Sequence, residues 1–143
     1  MGKKRIITDQ SVGAAAPAPL AVGAAKKTKA KRQVFRGAIN ISSSFNNTIV
    51  SAAGSNGEIF AWSSAGALGF KGAKKSTPYA ATMVGRDAAE KAKRFGMQEA
   101  KISVKGIGPG REGAIRGVIG SGINITAITD DTPIPHNGVK PAK

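Results

Sequence analysis

The residues best suited to chemistry in this chain bind anions. The run Lys105-Gly-Ile-Gly-Pro-Gly-Arg-Glu-Gly113 falls between an expected strand and an expected helix. Glycines let a backbone approach an anion closely, and a helix start offers unpaired N–H groups and a positive dipole end. Arg111 adds a guanidinium able to grip phosphate through two N–H groups. Three readings fit this loop. Gly108 and Gly110 with Arg111 form a phosphate cradle, or the run is a plain glycine turn. Alternatively Gly108–Gly113 is a dinucleotide fingerprint, since it matches G-x-G-x-x-G and Asp130 follows at a suitable distance. Against a cofactor, little chain follows for a doubly wound sheet, and Pro109 stiffens the turn.

Three further segments carry hydrogen-bonding groups. Gly69-Phe-Lys-Gly-Ala-Lys-Lys-Ser-Thr-Pro78 brings Lys71, Lys74, Lys75 and Ser76 to a helix start, the residue types that contact sugar and phosphate. Phe45-Asn-Asn-Thr48 offers Asn46, Asn47 and Thr48, with Phe45 either stacking on a base or filling the core. Thr132-Pro-Ile-Pro-His-Asn-Gly138 presets an extended backbone that displays His136 and Asn137, with Lys140 just beyond. Catalysis has few combinations to draw on. Eight acids, one His and no Cys leave no nucleophile–base set and no thiolate metal site, so no catalytic residue, metal or cofactor is expected.

Charge points the same way. A formal net charge of +14 costs folding energy by self-repulsion, and a polyanion removes that cost. No apolar run approaches the ~20 residues that span a bilayer, and no basic amphipathic helix suits a membrane surface. In residues 1–36, nine basic residues against the single Asp9 give +8 of that total. Residues 1–32 read as a basic arm that orders on binding, with Lys29, Lys31 and Arg32 as contacts. No secretory signal is expected there, because Pro17 and Pro19 break the only apolar stretch.

The elements that position these groups are legible from Gln33 onward. Val34–Ser42, Thr48–Ala53 and Ile59–Ser63 read as strands, the last two joined by a hairpin at Asn56-Gly57. A helix begins at Ser76-Thr77-Pro78, is lined by Ala81, Val84, Ala88, Ala92 and Phe95, and closes at Gly96. Lys101–Lys105 is a strand, Glu112–Ser121 a helix packed through Ile115, Val118 and Ile119, and Ile123–Thr129 a strand. The expected fold is α/β: a mixed five-stranded sheet with two main helices over residues 33–130, in two or three layers. Residues 131–143 form an extended tail.

Taken together, Ser44-Phe-Asn-Asn-Thr-Ile-Val50, Lys75-Ser-Thr-Pro78, Lys105–Glu112, Ile128-Thr-Asp130 and Thr132–Gly138 resemble one family. It is the eleventh protein of the small ribosomal subunit, in its bacterial form. The resemblance runs from about Gln33 to Pro141. It implies a ribonuclease H-like fold without that enzyme's acidic site, and a place on the subunit platform. There the family binds the large RNA of the small subunit, beside neighbouring small-subunit proteins and near the path of departing messenger RNA. Its RNA-contacting motifs fall here on Asn46, Asn47, Lys71, Lys74, Lys75, Arg111, Arg116, His136 and Asn137. It implies cytoplasmic ribosomes, with an organellar ribosome as the alternative because the N-terminal segment is basic and acid-poor. It also implies isoaspartate at Asn137, whose side chain the unhindered Gly138 nitrogen can attack. Val139 stands where bacterial members usually carry Cys.

Overall fold

A computed structural model of the chain describes residues 33–142. The expected basic arm, with Lys29, Lys31 and Arg32, lies outside the described residues. Strand β1 (Arg36–Ser43) alternates strictly in its second half: Ile39, Ile41 and Ser43 are buried, while Asn40 and Ser42 are exposed. That period of two is what one covered sheet face produces. Strand β2 (Thr48–Gly54) turns at Ser55–Gly57 into β3 (Ile59–Ser64). The turn sits at the Asn-Gly pair, with Gly57 at φ 80. Helix α1 spans Pro78–Arg94. Thr77 accepts the Ala80 N–H through its hydroxyl, and Pro78 takes the first turn, where its missing donor costs nothing. Ala81, Val84, Ala88 and Ala92 of the expected stripe are all buried. Strand β4 (Glu99–Lys105) begins two residues earlier than its apolar pattern indicates, because Glu99 pairs with Arg36 of β1. Helix α2 (Arg111–Gly120) and β5 (Asn124–Asp130) complete the domain.

The sheet order is β3-β2-β1-β4-β5. β1, β2 and β3 are antiparallel neighbours, and β1, β4 and β5 run parallel. Both helices lie on one face, α1 against β2 and β3 and α2 against β1, so the domain has two layers. The opposite face is open and displays Asn40, Ser42, Trp62 and Lys105.

The core is built from small residues, with Ala52, Ala61, Ala65, Ala80, Ala81, Ala88, Ala89, Ala92, Ala100 and Ala114 around Ile39, Ile41, Val50, Val84, Ile102 and Val118. Small side chains let the helices approach closely. A Cβ at Gly113 would overlap the Pro78 carbonyl, and one at Gly117 the Thr82 carbonyl. This contact rotates α2 so that Gly113, Ala114, Gly117 and Val118 face inward. Ile119, expected in the core, is therefore turned outward and is 53% exposed.

Candidate nucleic-acid interface

Topology gathers the candidate segments. β1, β4 and β5 run parallel and end on one side, where β2 begins and β3 finishes. The Ser44–Asn47 turn, the 65–77 loop, the Gly106–Gly110 loop, the starts of both helices and the 131–142 tail all leave the sheet at this end. Four segments spread over residues 44–142 thus share one end of the sheet.

Each segment is shaped by its own polar groups. Ser44 and Asn47 close their turn: Ser44 N–H donates to the Asn47 carbonyl at 2.9 Å, and Asn47 N–H to the Ser44 hydroxyl at 3.1 Å. Asn47 Oδ1 accepts the Thr48 N–H at 2.9 Å, which leaves its amide NH2 to donate outward. Asn46 is exposed, and Phe45 stands 66% exposed outside the core, which removes its core alternative. In the lysine loop, Gly72–Ser76 forms a short 3-10 turn. Ser76 donates to the Ala73 carbonyl at 3.0 Å, and Thr77 to the Lys74 carbonyl at 2.8 Å. Lys71 and Lys74 are exposed and Lys75 half-buried, and none has an ion pair with a described residue.

The Gly106–Gly110 loop departs from its expected use. Gly108 donates to the Ser43 carbonyl at 3.1 Å, and both Gly108 and Gly110 are buried. A Cβ at Gly108 would overlap the Ser44 carbonyl, and one at Gly110 the Thr48 hydroxyl. The glycines thus admit the chain's own backbone rather than a ligand. The third glycine of the fingerprint, Gly113, is filled by Pro78 in the same way. The glycine that a pyrophosphate would have to approach is the second, Gly110, and its open side is taken by Thr48 and Ala81, which corrects the dinucleotide reading. Thr48, expected to reach RNA, is fully buried beside Ser43, so its hydroxyl shapes the turn instead.

Arg111 is already engaged. One terminal nitrogen donates to the Gly106 carbonyl at 3.0 Å, and the other forms an ion pair with Asp130. Asp130 in turn accepts from the Thr132 hydroxyl at 2.6 Å and the Thr132 N–H at 3.0 Å. The Thr132 hydroxyl, then Arg111, then the Thr132 N–H hold the Asp130 carboxyl down to about 2. Beside it Asp131 accepts from Ser103 and donates its N–H to the Val104 carbonyl at 2.9 Å. This clamp ties the glycine loop to the root of the tail. It was missed in the sequence; the only signal was an arginine at a helix start and an Asp-Asp pair at a strand end. Arg111 keeps further N–H groups for a phosphate.

Beyond the clamp the tail displays His136, Asn137 and Lys140, all exposed, with Asn137 at φ 55. Arg116 is exposed but lies midway along α2, apart from the cluster. Tyr79, 68% exposed in the first turn of α1 and edge-on to Phe70 at 6.2 Å, is, after Phe45, a second exposed aromatic. Nothing in its sequence context set it apart. No group of residues able to hold a metal ion occurs among the described residues, and none of their helices is long and apolar enough to cross a membrane.

The domain is a two-layer α/β fold whose loops present lysines without ion pairs and exposed aromatics at one end. Comparison with known proteins narrows that class. The family model for ribosomal protein S11 matches residues 37–143. The chain is 52% identical over 118 residues to small ribosomal subunit protein uS11 of Aquifex aeolicus (strain VF5), covering 82% of this chain and 94% of that one. It is 56% identical over 108 residues to small ribosomal subunit protein uS11c of Tupiella akineta, covering 76% and 83%. With uS11 of Desulfotalea psychrophila it shares 50% identity over 119 residues, covering 83% and 94%. The chain belongs to the ribosomal protein S11 family. It is a structural protein of the small ribosomal subunit, in cytoplasm or organelle, and not an enzyme.

Proposed function

We propose that the loop end of the domain binds the large RNA of the small subunit on its platform, beside neighbouring small-subunit proteins, where it helps shape the path of departing messenger RNA. The observation that carries this reading is the convergence of the Ser44–Asn47 turn, the lysine loop, the glycine loop and the tail on one end of the sheet. Lys71, Lys74, Lys75 and Lys140 neutralise phosphates and release counterions. Asn46, Asn47, His136 and Asn137 donate to or accept from sugars and base edges, and Phe45 and Tyr79 stack on unpaired bases. Arg111 and Arg116 add guanidinium contacts. Thr48, Ser76, Gly108 and Gly110 act by holding the loops in shape, and Lys29, Lys31 and Arg32 extend the contact through the arm.

Ultraviolet cross-linking of small subunits, followed by peptide mapping, tests this reading. Nucleotide adducts on peptides containing Phe45, Tyr79 and His136 are expected. Adducts confined to the opposite end of the sheet would overturn it.

A further inference from the structure

The two edges of the sheet are finished differently. At β3 the Lys91 side chain of α1 reaches over and donates to the Trp62 carbonyl at 3.4 Å. Strand β5, the other edge, has no partner along its outer side among the described residues. Its sequence, Asn-Ile-Thr-Ala-Ile-Thr-Asp, contains no Lys, Arg or Pro, the residues that usually blunt an edge. One protective device is present, an extra residue at Thr126, and it leaves Ala127–Asp130 in regular register with β4.

The same edge exposes apolar side chains. Ile128 pairs with buried Ile102, so it stands on the helix-covered face, yet it is 53% exposed. Ile125, opposite buried Ala100, is only half-buried. The helix layer stops short of this strand. On α2 the glycine face turns toward α1, and Ile119 stands on the side away from it. A strip of β-branched surface therefore borders a row of unpaired backbone N–H and C=O groups.

The charge here selects the occupant. In a chain of +14, β5 and the residue after it carry no cation; Asp130 is paired with Arg111, and Asp131 has no ion pair among the described residues. RNA phosphate gains nothing from such a strip, whereas an extended polypeptide satisfies both the edge groups and the apolar strip. We propose that β5 is the docking edge for an extended segment of a neighbouring small-subunit protein, which adds to the sheet as a sixth strand and covers Ile128 and Ile119. The segment carries apolar residues on the face that meets Ile125 and Ile128, and a Lys or Arg near Asp131. This inference rests on the chain being seated in the small subunit, but not on the RNA contacts of the loop end.

Amide hydrogen exchange of the unmodified chain, free and within isolated small subunits, tests it first. Amides of residues 124–130 should exchange roughly tenfold or more slowly in the subunit. A second arm places Ile128→p-benzoylphenylalanine in the chain and irradiates subunits that carry it. Cross-linking to a different small-subunit protein is expected. Unchanged exchange in chains that sediment with subunits, or cross-links to RNA or to a second copy of this chain, would overturn the docking edge and leave the RNA reading standing. Nucleotide adducts missing from the loop end, with residues 124–130 still protected, would do the reverse.

Discussion

At the end of the sheet where β1, β4 and β5 finish, Lys71, Lys74 and Lys75 have no carboxylate partner among the described residues. Along the body of the domain several cations are paired. Arg36 lies 2.6 Å from Glu99, Arg86 lies 3.0 Å from Glu90, and Lys91 lies 2.6 Å from Asp87. Lys93 donates to the Ser121 carbonyl. The difference teaches how a strongly basic chain stays folded while remaining ready for a polyanion. Along the body of the domain Arg36, Arg86 and Lys91 are neutralised by nearby carboxylates. Lys71, Lys74 and Lys75 are left without such a partner, and binding a polyanion would relieve their repulsion.

Breaking the loop end should give the largest effect. Replacing Lys71, Lys74 and Lys75 together by Ala removes up to three phosphate contacts. The slope of log affinity against log salt, measured on the small subunit's large RNA, should fall by about 2 to 3. An unchanged slope would place the phosphate contacts elsewhere. Next comes the loop that positions them. Gly110→Ala drives a methyl into Thr48 and should cost about 1–3 kcal/mol in chemical denaturation. A loss near zero would mean the loop is looser than its packing indicates.

The clamp gives a smaller, pH-dependent effect. Asp130 titrates near 2 when folded and near ~3.9 when unfolded. Its lowered value means that the stabilisation is fully present above pH ~4 and is lost as pH falls toward about 2. In Arg111→Ala the Asp130 value should rise yet stay below the ordinary range, because Thr132 still donates. Carboxyl chemical shifts followed through an acid titration measure this directly, and a value unmoved by the substitution would exclude Arg111 as a partner. The smallest effect belongs to the body. Arg86→Ala breaks an exposed helix pair and should cost about 0.3–0.5 kcal/mol in a thermal melt, with the RNA salt slope unchanged. A lowered slope would mean that the body carries phosphate contacts too.

Much of this division was legible in the residues. The alternation of β1, the Asn56-Gly57 turn and the Thr77-Pro78 helix start are local signals, and all five strands and both helices are present. Local signals failed where partners lie far off in sequence. The glycines of the 106–110 loop look like a ligand cradle until the Ser43–Thr48 turn is seen filling their empty side. Arg111 looks free until Asp130, nineteen positions on, closes upon it. Ile119 follows a helical period but misses the core, because Gly113 and Gly117 set the rotation of α2. The four candidate segments were found singly, and their meeting at one end follows from strand order, which no local pattern encodes.

On the proposed function, the loop-end lysines face RNA and the paired lysines of the body, Lys91 and Lys93, do not. Acetylation of lysines in intact small subunits, compared with the free chain and read by mass spectrometry, tests it most directly. Lys71, Lys74, Lys75 and Lys140 should react in the free chain and be protected in the subunit, while Lys91 and Lys93 change little. Equal reactivity of the loop-end lysines in both states, or protection confined to Lys91 and Lys93, would contradict the account.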